Sequence, residues 1–381
     1  MTIGILKEPA PETRVSLLPD AAASLTKQNI TVQSENNAAA LAYASNQLYQ
    51  IKNINIAERA AILSSSQIIL SINILSNEDV AQLKPNTILI GVYQPLFNYD
   101  LMKQWAAKNI TVFSLDMIPR STRAQSMDVL SSQANIAGYK AVLEAANIYP
   151  RYFPMFMTAA GSITPAKVLI LGAGVAGLQA IATARRLGAV VEVFDTRPAV
   201  KEEVMSLGAK FIEVEGAADA SKAGGYAVEQ TEEYKQKQQQ KIADSIAKAD
   251  IVITTAQIPG KKAPILISDE MLNAMKPGSV IIDLAAATGG NTLQTKNNQT
   301  IQYNNVTIVG NSNLASTMPG DASKLYGKNV LNFLQLIITK DGSINLNFDD
   351  DIVAGCCIVH DGAITNGHVK SLISQFENLK I

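Results

Sequence analysis

The run Lys167-Val-Leu-Ile-Leu-Gly172-Ala-Gly174-Val175-Ala-Gly177 constrains what this chain can fold into more than any other. Five residues of strand character lead into G-x-G-x-x-G. A helical pattern follows over Leu178–Leu187, and a second strand-like run, Val190–Phe194, ends at Asp195. Glycines in that spacing alone are weak evidence. Set between a strand and a helix, with an acidic residue 18 positions past Gly177, they predict a dinucleotide-binding βαβ unit.

Each position has a physical task. Gly172 permits the tight turn, Gly174 lets a pyrophosphate approach the backbone, and Gly177 allows helix and strand to pack closely. The helix N-terminus at Val175 offers free N–H groups and a positive dipole end. Asp195 can accept hydrogen bonds from both adenosine-ribose hydroxyls, and its charge repels a 2′-phosphate, which favours NAD over NADP. Arg197, two residues on, is a complication, because a nearby arginine sometimes accommodates that phosphate.

Strand-like and helical runs alternate on both sides of this motif. Before it come Thr2–Leu6, Ile30–Gln33, Gln67–Ile72, Thr87–Val92 and Ile110–Leu115, separated by helical patterns at Asp20–Gln28, Glu58–Leu63, Glu78–Leu83 and Tyr99–Lys108. From Lys167 the strand series is Lys167–Leu171, Val190–Phe194, Phe211–Val214, Asp250–Thr254, Ser279–Leu284 and Val306–Val309. Such alternation predicts an α/β chain of two Rossmann-like, doubly wound parallel-sheet domains with a cleft between them. Helical stretches at Ser121–Ile148 and Asp321–Ile338 connect the halves. The first domain is therefore expected to be discontinuous, 1–125 plus 320–381, with the nucleotide-binding domain at 126–319.

The chain's 381 residues suit two domains, and 47% hydrophobic against 17% charged residues allow sizeable cores. Lys+Arg 32 against Asp+Glu 33 argues against a nucleic-acid binder. The two cysteines, Cys356 and Cys357, are adjacent; they read as reduced residues in a strand, with no disulfide or metal-ligand spacing. Met1–Glu8 looks like a first strand and not a signal peptide. No run reaches the roughly 18 apolar residues of a membrane span, so any membrane part is expected on another chain.

Two further segments stand out. Gly216–Tyr226 is rich in small residues and aperiodic, and a Gln/Lys/Glu-rich helical stretch, Glu229–Lys248, follows it. A loop this long, about 216–230, reads as a mobile lid or as a solvated insertion. The segment Pro119–Asn135 is unusually polar. If it is helical from about Thr122, Gln125, Asp128 and Ser131 share one face with Arg120 at its start, which reads as a site or as a capped, solvated helix start.

The run Pro119–Lys140, through Asn135-Ile-Ala-Gly-Tyr-Lys140, closely resembles the signature of the NAD(H)-binding domain of proton-translocating transhydrogenases. So do Leu171–Gly177, Phe194-Asp-Thr-Arg-Pro198, Ala223-Gly-Gly-Tyr226, Thr254-Thr-Ala-Gln-Ile-Pro-Gly260 and Ser279-Val-Ile-Ile-Asp-Leu-Ala285. Alanine dehydrogenases are more distant relatives. By this resemblance Arg120, Gln125, Asp128 and Ser131 hold the nicotinamide and its ribose. Asp195, Thr196 and Arg197 lie on the adenosine side. Gly225 and Tyr226 fall in a loop that closes over bound nucleotide, and Gln238 is a further contact. Ala256 and Gln257 complete the cofactor-binding set, Gln257 by its backbone alone.

The resemblance further implies direct hydride transfer between NAD(H) here and NADP(H) held only on a partner domain, coupled to proton passage by a separate membrane component. It implies a homodimer, peripheral on the cytoplasmic side of the membrane, without metal. Arg120, Gln125, Asp128 and Ser131 then position rings rather than carry protons, with Tyr226 in the lid. Two rivals stand beside it. An amino-acid dehydrogenase of the alanine dehydrogenase kind would use Arg14 for a substrate carboxylate, but Asn73 and Gln94 stand where those enzymes carry lysine and histidine. That leaves Arg14 as a structural, ion-paired remnant. His360 and His368 read as surface or structural. The other rival, a non-catalytic NAD-sensing protein, has no reason to keep the 120–131 set.

Overall fold

The computed structural model describes residues 1–214 and 231–378 and divides into two compact units, Met1–Gln133 with Ser316–Ile381, and Ala134–Ala315. In the first unit the strands are β1 (Thr2–Ile5), β2 (Thr31–Glu35), β3 (Asn55–Ala57), β4 (Ile68–Leu70), β5 (Ile88–Gly91) and β6 (Thr111–Ser114). The second unit opens with a hairpin, β7 (Phe156–Thr158) and β8 (Gly161–Ile163). It continues with β9 (Lys167–Leu171), β10 (Val190–Phe194), β11 (Lys210–Phe211), β12 (Ile251–Thr254), β13 (Val280–Asp283), β14 (Thr300–Tyr303) and β15 (Val306–Val309). The chain then returns to the first unit with β16 (Cys357–His360) and β17 (Ala363–Ile364).

The first sheet runs β17-β16-β6-β5-β4-β1-β2-β3, and the second β11-β10-β9-β12-β13-β15-β14. Pairing is parallel throughout, except where β16 meets β6 and β17 and where β14 meets β15. With the parallel strands numbered within each unit, both sheets have the 3-2-1-4-5-6 order of a doubly wound nucleotide fold, with a reversal beside its first strand. Central strands β4, β5, β6, β12, β13 and β15 are buried on both faces, as helices covering both sides of a parallel sheet require. Each unit accordingly has an apolar cluster on either side of its sheet.

Turn chemistry differs between the units. The turns into β2, β3 and β6 place Asn29, Asn53 and Asn109 in the left-handed region, whereas those into β10, β11 and β13 use Gly188, Gly208 and Gly278. Both residue types end helices at little steric cost.

Several sequence expectations need correction. β3 and β14 lie at sheet edges and are short or half-exposed, so neither shows a clean apolar run. The exposed hairpin β7–β8 also gave no signal. The strand expected at Phe211–Val214 is the two-residue β11, which pairs with β10 alone. The helix expected from Ser121 begins at Val129. The cysteines, expected together in a strand, are both buried, but Cys356 ends a helix and only Cys357 enters a strand.

Candidate functional site

In the second unit, β9 delivers the chain into Gly172, whose φ of +107° suits glycine. Thr255 pins this turn, its hydroxyl donating to the Gly172 carbonyl at 3.1 Å and its N–H to the Leu171 carbonyl at 2.9 Å. Gly174 caps the helix Val175–Arg186, and a Cβ there would meet nothing within 4 Å. Space therefore lies over the first turn of that helix, where unpaired N–H groups attract an anion. Gly177 is required by the protein itself: a Cβ would lie 3.0 Å from the Gly172 carbonyl carbon and closer still to its oxygen. The three glycines thus divide as their spacing predicts.

Asp195 follows β10 and is 9% exposed. Its carboxylate accepts from the Ala173 N–H at 2.7 Å and the Arg197 N–H at 2.8 Å. The Arg197 guanidinium also grips it, through Nε at 3.0 Å and Nη2 at 2.8 Å. That pairing with Asp195, against the opposing effect of burial, raises the Arg197 pKa further. Asp195 therefore braces the glycine turn, and Arg197 is already engaged by it. Thr196, between the two, is half-buried.

Tyr234 and Gln238 are one turn apart on the helix Glu232–Ile246 and share a face. Tyr234 is buried; burial first, then the charge of Asp195, pushes its hydroxyl pKa up. Sequence reasoning missed Tyr234 although it stands four residues before Gln238. Gly225 and Tyr226 lie outside the described residues, as does the whole of the 216–230 loop.

The loop after β12 is held by another residue the sequence reading missed. Asn291 is fully buried. Its amide donates to the carbonyls of Ala256 at 2.9 Å and Pro264 at 2.8 Å, and its Oδ1 accepts from the Ala256 N–H at 3.2 Å. Asp283 in turn accepts from the Asn291 N–H at 2.7 Å and the Thr295 hydroxyl at 2.6 Å. Gln257 is exposed, and its side chain donates to the Leu284 carbonyl at 2.8 Å.

In the first unit the 120–131 segment is not one helix. Gln125–Met127 form a 3-10 turn, Asp128 leaves helical geometry with ψ of 93°, and the helix starts at Val129. Asp128 is the reason. Its carboxylate accepts from the Ser131 N–H at 2.9 Å and hydroxyl at 2.6 Å, which is the work of an N-cap. Asp128 and Ser131 are thus brought together, while Gln125 and Arg120 are exposed. The turn is anchored from the helix Pro319–Ile337, where Asn329 and Asn332 each donate to the Ser126 carbonyl at 2.8 Å. Arg123 binds Asp350 through two bonds of 2.6 Å. Asn329, Asn332 and Asp350 lie about 200 residues away in sequence, so no local pattern reveals them.

Arg14 is spoken for. Its Nε and Nη2 hold both Glu12 carboxylate oxygens at 2.8 and 2.7 Å, and its Nη1 donates to Gln133 at 2.8 Å. Burial opposes ionisation of Glu12, but the Arg14 guanidinium outweighs it and holds the carboxyl at about 2. Asn73 donates to the buried Glu8 at 3.0 Å, and Gln94 takes a left-handed turn conformation with φ of +47°. None of these offers an amino-acid substrate a free cation.

Residues 4–137 match the family model "Alanine dehydrogenase/PNT, N-terminal domain", and residues 141–367 its C-terminal counterpart. In Rickettsia prowazekii, the chain that forms the first portion of NAD(P) transhydrogenase subunit alpha is 43% identical over 372 residues, covering 96% of each chain. The chain belongs to the family of NAD(P) transhydrogenase alpha subunits. "NAD(P) transhydrogenase subunit alpha" of Haemophilus influenzae is 42% identical and is covered over 71% of its length by 95% of this chain. The crystal structure of transhydrogenase from Sinorhizobium meliloti superposes with a TM-score of 0.87 at 41% identity, covering 96% of this chain and all of that one. Alanine dehydrogenase of Staphylococcus haemolyticus is 24% identical over 350 residues. A solved L-alanine dehydrogenase shares the fold, with a TM-score of 0.80 at 22% identity. This alpha-subunit chain is therefore an oxidoreductase component of a multi-subunit enzyme. No described helix is long and apolar enough to cross a membrane.

Proposed function

We propose that this chain binds NAD(H) and exchanges hydride directly with NADP(H) held on a partner domain, with a separate membrane component coupling the exchange to proton passage. The observation that carries the reading is the Gly172–Gly177 turn. It opens at the reversal point of a 3-2-1-4-5-6 sheet, has space over Gly174, and has the carboxylate of Asp195 at its side. The nicotinamide ring supplies the hydride chemistry when bound. The chain's own residues bind, orient and exclude water.

In this reading the N–H groups from Val175 onward take the pyrophosphate, and Asp195, Thr196, Arg197 and Gln238 take the adenosine side. Ala256 and Gln257 complete the cofactor contacts, Gln257 through its backbone. Arg120, Gln125, Asp128 and Ser131 position the ring and its ribose. The partners are an NADP(H)-binding and membrane-spanning subunit and a second copy of this chain, placing it peripherally on the cytoplasmic side. The alanine dehydrogenase alternative is disfavoured by the Glu12–Arg14 pair, which leaves that cation no vacant fork.

Fluorescence titration with NADH and NADPH tests the cofactor assignment. The expected result is tight NADH binding, little for NADPH, and a loss of about 1.5–3 kcal/mol for NADH in Asp195→Ala, the scale of hydrogen bonds to a charged group. Equal binding of the two nucleotides, or unchanged affinity in the variant, contradicts it.

A further inference from the structure

We infer that Gly138 is a positioning residue for the nucleotide turn: it lets the helix Val129–Ile148 press against the first turn of the helix Val175–Arg186 and so sets where that helix's N-terminus points. Gly138 belongs to the Asn135–Lys140 motif, yet none of the proposed binding roles uses it. It lies in the middle of a 20-residue helix, where glycine is intrinsically unfavourable and alanine would serve better. Something else keeps the side chain out.

The reason is a backbone contact. A Cβ at Gly138 would lie 2.8 Å from the Ala176 carbonyl carbon, 2.9 Å from its Cα, and closer still to its oxygen. All three atoms are main chain, so no rotamer change relieves them. Ala176 sits in the first turn of the nucleotide helix, between Val175 and Gly177. Gly177 meets the Gly172 carbonyl on its own side with equal closeness. The turn is therefore gripped through two glycines, Gly177 against the strand's exit and Gly138 against the neighbouring helix.

The surroundings agree. Ala141, Val142 and Ala145 of the first helix and Ala180, Ile181 and Ala184 of the second join one buried cluster, which resists a slide of either helix. Asn135, one turn before Gly138, donates to Gln179 at 3.3 Å and ties the same pair of helices. A methyl group at Gly138 must push the first turn away, displacing the N–H groups of Val175, Ala176 and Gly177 together. Pyrophosphate affinity depends on where those donors point.

The inference rests on the reading that this turn holds a pyrophosphate, and the test separates the two. NADH and ADP-ribose are titrated into the unaltered chain, Gly138→Ala, and the control Gly327→Ala. The control site lies in the first unit, where a Cβ would meet Ser16 and Leu17 of that same unit at 3.2 and 3.4 Å. The expected result is a dissociation constant raised about ten- to a hundredfold for both ligands in Gly138→Ala, the loss of well-placed hydrogen bonds to a charged group, with the control unchanged. A purely structural role would lower the melting temperature without moving the affinity of folded protein. Equal affinity in Gly138→Ala and the unaltered chain overturns the inference, as does a loss confined to NADH. If the unaltered chain fails to bind ADP-ribose, the nucleotide reading falls and the inference with it. If Gly138→Ala does not fold, Asn135→Ala is titrated instead: a two- to threefold loss, the scale of one weak hydrogen bond, supports the inference, and none overturns it.

Discussion

Glu8 lies just past β1 and is 7% exposed, with no cation among the described residues bonded to it. Its oxygens accept from the N–H groups of Ile72 at 2.6 Å and Asn73 at 3.0 Å, and from the Asn73 amide at 3.0 Å. Burial raises its pKa from 4.5 to about 7 against those donors, with the Glu12 charge adding a little. Tyr93, Tyr326 and Arg14 also face it electrostatically. A rise of that size is worth about 3 kcal/mol between the two protonation states at most. That figure is already net of the three donors, and about 1–3 kcal/mol of it falls between pH 5 and pH 8.

The folded chain holds this proton to higher pH than the unfolded chain does. Between 4.5 and about 7 the native state therefore binds more protons, and Glu8 makes stability fall as pH rises, levelling off above 7. Glu12 works in the opposite sense, contributing stability above 4.5 that is lost as pH falls toward about 2. Glu8→Gln removes one titration and leaves the other. Urea unfolding of both proteins at pH 5 and pH 8 isolates it, because groups common to both cancel in the difference. The stability of Glu8→Gln relative to the unaltered chain should rise by about 1–3 kcal/mol from pH 5 to pH 8. Parallel pH profiles would refute the reasoning and mean that the hydrogen bonds from Ile72 and Asn73 keep Glu8 ionised throughout.

Two other substitutions probe the account. Glu12→Ala strands the Arg14 guanidinium in a buried site and should destabilise the chain by about 3–5 kcal/mol in urea; a loss below about 1 kcal/mol would mean solvent already screens the pair. Gln125→Asn should leave NADH affinity nearly intact but slow hydride transfer sharply, because it disturbs ring placement; parallel losses of binding and rate would argue against a positioning role.

How far the sequence could be read follows from the range of each interaction. The β9 strand, the glycine turn and Asp195 carry their instructions within thirty residues, and the structure has them where the spacing predicts. Both sheets' central strands were legible because burial on two faces demands continuous apolar runs. Edge strands β3 and β14 were not, since half-exposed strands carry half the pattern. The break at Asp128 is written in an aspartate that caps better than it continues a helix, and could have been read from Asp128 and Ser131 together. Asn291, Asn329 and Asn332 could not, because each bonds a backbone carbonyl whose distance in sequence leaves no periodic trace.

The central claim is that NAD(H) on this chain exchanges hydride directly with NADP(H) on a partner. Stopped-flow measurement of transfer from NADPH to an NAD analogue, with this chain mixed with a transhydrogenase NADP(H)-binding domain, tests it most directly. The account predicts rapid transfer in the mixture and none with either component alone. No transfer in the mixture, despite confirmed NADH binding by this chain, would contradict it.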